Sequence, residues 1–167
     1  RTDRQPEDVM ASAIAAIKAE GYTGIWGADG DHLQTRADIF RVEEAGYTFF
    51  TIDPSDYVNN EADSMSSDEL EAAYQMLVDQ DQLTDQNLLE IYLDSVEQVN
   101  PDLLIPLNDR TLVLRAIIKY GAALKYSRDM YNWIDEANPK RDYEVEISVD
   151  ETDTPTSPLE HLFIGLN

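Results

Sequence analysis

The chain lacks cysteine, which excludes disulfides, thiolate metal sites and cysteine nucleophiles. Basic residues are scarce, since 12 Lys and Arg stand against 34 Asp and Glu and give a net charge of −22. Such a charge repels phosphate backbones and anionic lipid surfaces, so neither nucleic acid nor a membrane is expected as a partner. No apolar run approaches the ~18 residues of a membrane span, and residues 1–10 do not resemble a signal peptide. We therefore expect a cytoplasmic protein.

What the chain does contain is an alternation of helical and extended patterns separated by glycine. Residues 7–20 carry apolar side chains at helical spacing and end at Gly21, and residues 22–29 (YTGIWGAD) are typical of a buried strand. A second helix ends at Gly46, and residues 47–53 (YTFFTID) form the next predicted strand. This order is typical of a parallel α/β fold.

The remainder of the chain continues the alternation less regularly. The predicted elements are a helix over 68–80 capped by Ser66 or Ser67, a short helix, an extended piece interrupted by Pro101 and Pro106, a long helix from the N-cap Asn108 to Ala137, a strand over 143–150, and a final helix opened by a capping box at Ser157. Because no linker interrupts them, we expect residues 1–167 to form one domain.

Acidic side chains follow three of the predicted strands. They are Asp29 and Asp31, with the histidine His32, at the end of the first strand, Asp53 and Asp56 at the end of the second, and Asp150, Glu151 and Asp153 at the end of the last. The carboxyl ends of parallel strands share one edge, where α/β proteins build their sites. Carboxylates crowded there need a counter-charge, and a divalent cation supplies one. Imidazole and carboxylate ligands suit zinc, manganese, iron or nickel.

A turn or cap is the competing interpretation of such residues, because aspartate commonly follows strands for that reason alone. We favour this interpretation for Asp53, which precedes Pro54. Asp31 and His32 favour a site, since histidine is not a usual capping residue. The other histidine, His161, lies early in the final helix, where an exposed or packed side chain is expected.

Four segments together resemble the tagaturonate epimerase family. They are ADGDHLQT (28–35), AGYTFFTIDPSDYV (45–58), IKYGAALKYSRDMY (118–131) and EISVDETDTPTSPLEHLFI (146–164). The resemblance implies part of a (β/α)8 barrel with parallel strands, truncated at its C-terminus. It also implies interconversion of D-tagaturonate and D-fructuronate, a sugar-acid substrate and a divalent metal.

The resemblance also assigns roles to individual residues. Asp31 would be the proton acceptor and His32 a metal ligand, with two further histidine ligands on later strands beyond Asn167. The proton donor would come from VDETD, where Glu151 is preferred and Glu146 and Asp153 remain alternatives.

The other strand-end carboxylates, Asp29, Asp53 and Asp153, are the candidate substrate-binding residues. Arg110 or Lys119 on the long helix could hold the substrate carboxylate. We expect the fragment alone to be inactive, because a complete barrel needs ~250 residues.

The chemistry implied is inversion by retro-aldol cleavage and re-addition, because the inverted carbon is not adjacent to the ketone. Transient oxidation is a competing route, although no Gly-x-Gly-x-x-Gly fingerprint is present. The alternative functions are a metal-dependent aldolase or isomerase on a related sugar acid, and a non-catalytic sugar-binding half-barrel.

Overall fold

The computed structural model describes residues 4–93, 96–100, 103–139, 142–149 and 152–167, and these ranges contain six α-helices and five β-strands. In chain order they are α1 (Pro6–Ala19), β1 (Asp29–Leu33), α2 (Arg36–Glu44), β2 (Phe49–Ile52), α3 (Ser67–Asp79), α4 (Leu88–Tyr92), β3 (Val96–Asn100), β4 (Leu103–Pro106), α5 (Arg110–Ala137), β5 (Glu144–Ile147) and α6 (Pro158–Leu166). Two short 3₁₀ turns, Ser55–Tyr57 and Asn60–Asp63, follow β2. No helix in the described ranges is both long and apolar enough to cross a bilayer.

Three strands form a parallel sheet in the order β1-β2-β5. The chain passes from β1 through α2 to β2, so the predicted parallel α/β arrangement is confirmed. Strands β3 and β4 pair with each other in antiparallel fashion. Where one extended piece was predicted, the described residues thus form two strands. The complete barrel stays a prediction.

The chain divides into two compact units. The first comprises the chain up to Asp53 together with Asp129–Ser148, and the second comprises Pro54–Arg128 and Val149–Asn167. Helix α5 contributes residues to both units. Whether residues 1–167 behave as one domain remains a prediction.

The core of the first unit lies around the central strand. Phe50 and Ile52 on β2 are fully buried, as are Ile39 on α2 and Ile134 on α5. Phe50 also meets Tyr143 edge to face, with ring centroids 6.1 Å apart. Side chains buried along consecutive positions of β2 are expected for the middle strand of a parallel sheet.

The core of the second unit is built on the apolar face of α5. Ala116, Ile117 and Tyr120 are fully buried, and they belong to one cluster with Leu70 of α3 and Phe163 of α6. Burying a leucine such as Leu70 stabilises the fold by roughly 1.5–3 kcal/mol.

Two large apolar side chains of α5 are not buried. Leu112 and Tyr131 are 42% and 48% exposed.

The helix starts are set by local side chains. Ser66 and Glu69 form the capping box of α3, and Ser157 and Glu160 form that of α6, which confirms both predicted starts. The predicted cap of α5 is off by one residue. Asp109, rather than Asn108, accepts hydrogen bonds from the backbone N–H groups at 111 and 112 (3.0 and 3.1 Å).

The strand predicted over 22–29 is wrong, because these residues are irregular until Asp29, where β1 begins. Ile25 is fully exposed and Trp26 is 46% exposed. Backbone pairing with β2 starts only at Asp29, opposite Phe49. Gly24 would also weaken a strand over these residues, because glycine disfavours extended structure that has no pairing partner. The acidic residues predicted to follow the first strand therefore lie within it.

Candidate functional site at the edge of the parallel sheet

The carboxyl edge of the parallel sheet is formed by the last residues of β1 and β2 and the chain after β5. The N–H of Asp53 donates to the carbonyl of Leu33 (3.0 Å), and the N–H of Ser148 donates to the carbonyl of Ile52 (2.8 Å). Pairing thus continues to the strand ends and aligns them. As predicted, this edge brings the end of β1 together with Asp53.

Asp31 and His32 form a hydrogen-bonded pair near the end of β1. His32 Nδ1 lies 2.6 Å from Asp31 Oδ1, and the two side chains are 49% and 68% exposed. The backbone of His32 is left-handed (φ 57°). Between Gly30 and Leu33, β1 contains one residue more than the stretch of β2 with which it pairs. This extra residue makes a β-bulge. Bulges commonly re-aim side chains next to functional sites.

Asp53 follows β2 directly and is almost fully buried (6% exposed). The amide of Gln34 donates a 2.6 Å hydrogen bond to Asp53 Oδ2. Gln34 lies just after β1, so this bond joins the ends of the two neighbouring strands. Asp53 is thus a buried carboxylate of the sheet edge, and its role toward a substrate stays a prediction.

Asp29 lies elsewhere than the sequence suggested. It is the first residue of β1, at the amino end of the strand, and its carboxylate accepts a hydrogen bond from the hydroxyl of Thr51 (3.1 and 3.2 Å to its two oxygens). The expectation that Asp29 follows the strand is therefore wrong.

The candidates on the third acidic segment are divided between the two units. Glu146 lies on β5 of the first unit, opposite Thr51, and is exposed. Asp153 belongs to the second unit, where its N–H donates to Asn60 Oδ1 (3.2 Å). Asp150 and Glu151 lie outside the described residues, so the preferred proton donor stays a prediction.

Within the described part of the chain, no three His, Asp or Glu side chains come together as a metal-binding group. Asp31 and His32 offer one carboxylate and one imidazole, which are suitable donor types for a divalent transition metal. His161 is exposed on α6, one of the two environments expected for it.

A second polar cluster lies in the second unit and was not anticipated. The side chain of Lys119 is fully buried, and its Nζ contacts Asp63 (2.8 Å), Thr154 (2.8 Å) and Glu160 (3.4 Å). Burial opposes ionisation of Asp63, but hydrogen bonds from Lys119 and Thr154 outweigh it and lower the pKa of Asp63. A lysine amid the buried positions of α5 was the signal in the sequence.

Both cations considered for the substrate carboxylate already contact carboxylates of this chain. Lys119 is held by the cluster just described. Arg110 forms a bidentate pair with Glu71, with nitrogen–oxygen distances of 2.6 and 2.8 Å.

A cavity of about 550 Å³ adjoins this cluster in the second unit. Asp63, Thr154 and Glu160 form part of its wall, with Arg115 and mainly apolar side chains. An apolar wall of this kind does not match the many hydroxyl groups of a sugar acid.

The chain is thus a parallel α/β protein with an acid–imidazole pair at the carboxyl edge of its sheet, the edge at which proteins of this class place their sites. A family model described as tagaturonate epimerase matches residues 1–167. The chain therefore belongs to the tagaturonate epimerase family.

Individual relatives agree with this assignment. The tagaturonate/fructuronate epimerase of Thermotoga maritima is 33% identical over 164 residues, which are 98% of this chain and 32% of the relative. A glycerol complex of the fructuronate-tagaturonate epimerase UxaE from Cohnella laeviribosi matches with a TM-score of 0.79 and 34% identity, covering 92% of this chain and 30% of that one. Its native crystal structure gives a TM-score of 0.78 at 32% identity. The chain thus spans about a third of the length of these relatives.

Proposed function

We propose that this chain is part of an enzyme that interconverts D-tagaturonate and D-fructuronate. The observation that carries the proposal is the match of the tagaturonate epimerase family over residues 1–167. The pairing of Asp31 with His32 at 2.6 Å supports it, because the resemblance assigns catalysis and metal binding to these two residues.

A divalent metal is the proposed cofactor, and His32 is its proposed ligand in this chain. The contact of His32 Nδ1 with Asp31 fits this role, since metal-binding histidines are commonly oriented by a carboxylate on one ring nitrogen. When bound, such a cation stabilises negative charge that develops on a substrate oxygen. The remaining ligands belong to parts of the longer enzyme outside this sequence.

Asp31 is the proposed base of the reaction. It removes the proton of the hydroxyl on the carbon to be inverted, and the bond from that carbon to its neighbour on the ketone side breaks. The electron pair of that bond passes to the ketone fragment, which becomes an enolate, and the inverted carbon becomes an aldehyde. The aldehyde turns over, the enolate carbon attacks its other face, and Glu151 donates a proton to the alkoxide oxygen so that the hydroxyl is restored. Since the carbon–hydrogen bond at the inverted centre never breaks, a deuterium placed there is retained.

The whole enzyme is proposed to be a (β/α)8 barrel, of which β1, α2 and β2 form one βαβ unit. The parallel order β1-β2-β5 supports this architecture. Because the chain spans about a third of its relatives, we expect the 167-residue chain alone to show no turnover.

The test is an assay of the full-length enzyme for conversion of tagaturonate to fructuronate, with the metal content of each sample measured. His32→Ala is the test variant and His161→Ala the matched control, because the chain has two histidines and His161 is exposed on α6. We expect His32→Ala to lose both turnover and bound metal, and His161→Ala to keep both.

Three results would argue against parts of this proposal. A metal-loaded wild type without turnover rejects the substrate and favours a related sugar acid. Full activity in His32→Ala rejects the ligand assignment. Loss of the deuterium label to solvent rejects the retro-aldol route.

A further inference from the structure

The cavity of about 550 Å³ lies entirely within the second unit. Strand β4, helix α5, the loop before α6 and the first turn of α6 supply its apolar walls, which are formed by Ile105, Leu112, Ala116, Pro155, Pro158 and Leu159. Because such walls do not suit a sugar acid, the cavity is a candidate for a contact other than the binding of substrate.

The walls of this cavity are continuous with the core of the second unit. Ile105 and Ala116 are members of the buried cluster, and Leu159 packs against that cluster. Protein cores contain few voids larger than a water molecule, whereas this opening has the volume of roughly 18 waters at ~30 Å³ each. Water inside it would meet few polar partners. The core of the second unit is thus open on one side, along an apolar surface.

The rim of the cavity is apolar as well. Leu112 is 42% exposed, and Pro155 and Pro158 are also exposed. The chain as a whole is rich in charge, since 28% of its residues are charged. Contiguous apolar surface on such a chain is typical of a contact with other polypeptide, and permanent contacts resemble a core that has been cut in half.

Arg115 adds one polar requirement for the occupant of the cavity. Among the described residues, its side chain makes one hydrogen bond, in which Nε donates to the carbonyl of Ala62 (3.1 Å). A guanidinium has further N–H donors on its two terminal nitrogens. The carboxylates of Asp63 and Glu160 in the wall already contact Lys119. We therefore expect the occupant to bring a carboxylate or carbonyl oxygen to Arg115.

The length of the relatives favours one occupant over others. The 164 matched residues are 32% of the Thermotoga maritima enzyme, so about two thirds of such an enzyme lies outside them. Polypeptide that is tethered to this unit has an effective concentration in the millimolar range, which favours it over a separate partner.

We propose that the apolar cavity of the second unit is a docking surface for the part of the longer enzyme outside residues 1–167. That part fills the cavity with apolar side chains and places an oxygen acceptor against Arg115. The inference rests on the proposal that this chain is part of a longer enzyme, but it does not depend on the reaction that the enzyme catalyses.

Photo-cross-linking in the full-length enzyme tests the proposal. Leu112→Bpa introduces p-benzoylphenylalanine, whose ketone on irradiation bonds to carbon–hydrogen groups in contact with it. Met76→Bpa is the matched control, because Met76 is 59% exposed on α3 of the same unit and does not line the cavity. We expect Leu112→Bpa to join, within one chain, to a peptide from outside residues 1–167, with a yield about tenfold above the control, since a tethered contact persists. Pro155→Bpa, on another wall, decides the question if Leu112→Bpa does not fold.

Gel migration and mass spectrometry of the product separate the alternatives. A cross-linked dimer would show that a second copy covers the cavity, and a bond to a small molecule would show a ligand site. A bond to a peptide within residues 1–167, or no bond above the control, would show that the rest of the enzyme does not dock there. Each of these results overturns the proposal.

Thermal unfolding of the full-length enzyme gives a second readout, in which the order of two variants decides. Leu112 is the third residue of α5 and Met76 lies in the last turn of α3. An exposed aspartate is favoured in the first turn of a helix and disfavoured in the last, so the helices alone make Leu112→Asp the more stable variant. We expect the reverse order, with the Tm of Leu112→Asp lower by about 3 °C or more, because docking would bury its charge. A Tm of Leu112→Asp at or above that of Met76→Asp would overturn the proposal.

Failure of the docking surface and failure of the proposed reaction give different results. An enzyme that forms the expected cross-link but does not convert tagaturonate refutes the reaction and supports the docking surface. An active enzyme in which Leu112→Bpa and Pro155→Bpa give no bond above the control refutes the docking surface alone.

Discussion

The left-handed backbone of His32 predicts an unusual order of stability among substitutions at this position. With φ at 57°, a residue with a Cβ incurs a cost of roughly 1–2 kcal/mol, which glycine avoids. Glycine in turn loses more backbone entropy on folding than alanine does, by roughly 0.5–1 kcal/mol. His32→Gly should therefore be more stable than His32→Ala by about 0.5–1 kcal/mol.

The comparison of glycine with alanine removes the side-chain terms. Both variants lose the same imidazole and the same 2.6 Å contact with Asp31, so these losses cancel in the difference. What remains is the conformational preference of the backbone. The stability difference between glycine and alanine therefore has the opposite sign here from that at an ordinary helix position.

Equilibrium urea unfolding at pH 7, followed by circular dichroism, measures the difference in the free energy of unfolding. Gln75, exposed inside α3, is the control position, where alanine should be more stable than glycine by about 1 kcal/mol. If alanine at position 32 proves as stable as glycine or more so, the left-handed backbone is refuted, and with it the strain assigned to the site.

Two further predictions concern groups of the second unit. Because the pKa of Asp63 is lowered in the folded state, its stabilising contribution is present above the unfolded pKa of ~3.9 and is lost as pH falls through the folded value. In urea unfolding at pH 7, Asp63→Asn should thus have a lower free energy of unfolding than wild type, and this difference should shrink below about pH 4. A difference that does not change with pH would contradict the pairing of Asp63 with Lys119. Ser66→Ala should lower the free energy of unfolding by about 1 kcal/mol, since Ser66 caps α3. Ser67→Ala, the control, should change the free energy of unfolding by less than about 0.5 kcal/mol. If both variants lose the same stability, Ser66 is not the cap of α3.

The elements that the sequence predicted well are those whose signals are local. The start of α6 follows from Ser157 and Glu160, which bond to each other's backbone within one turn. The ends of α1 and α2 follow from Gly21 and Gly46, which both adopt positive φ. Such contacts need no information about distant parts of the chain.

Features that depend on distant partners were missed or misplaced. Residues 22–28 have the apolar composition of a strand, but pairing with β2 decides where β1 begins, and it begins at Asp29. The acceptors around Lys119 come from positions 63, 154 and 160, far apart in sequence. The sequence could indicate an unusual lysine on a buried face, but it could not name the groups that hold it.

The pair of Asp31 and His32 shows the same limit at the candidate site itself. In a regular strand, successive side chains point to opposite faces, so neighbours in sequence are held apart. Here the bulge after Gly30 and the left-handed backbone of His32 interrupt that alternation and allow the 2.6 Å contact. Gly30 is also closely packed, since a Cβ there would lie 3.0 Å from Val42 Cγ2 on α2. The geometry of the pair is therefore set by the packing of β1 against β2 and α2, although its two residues are adjacent in the sequence.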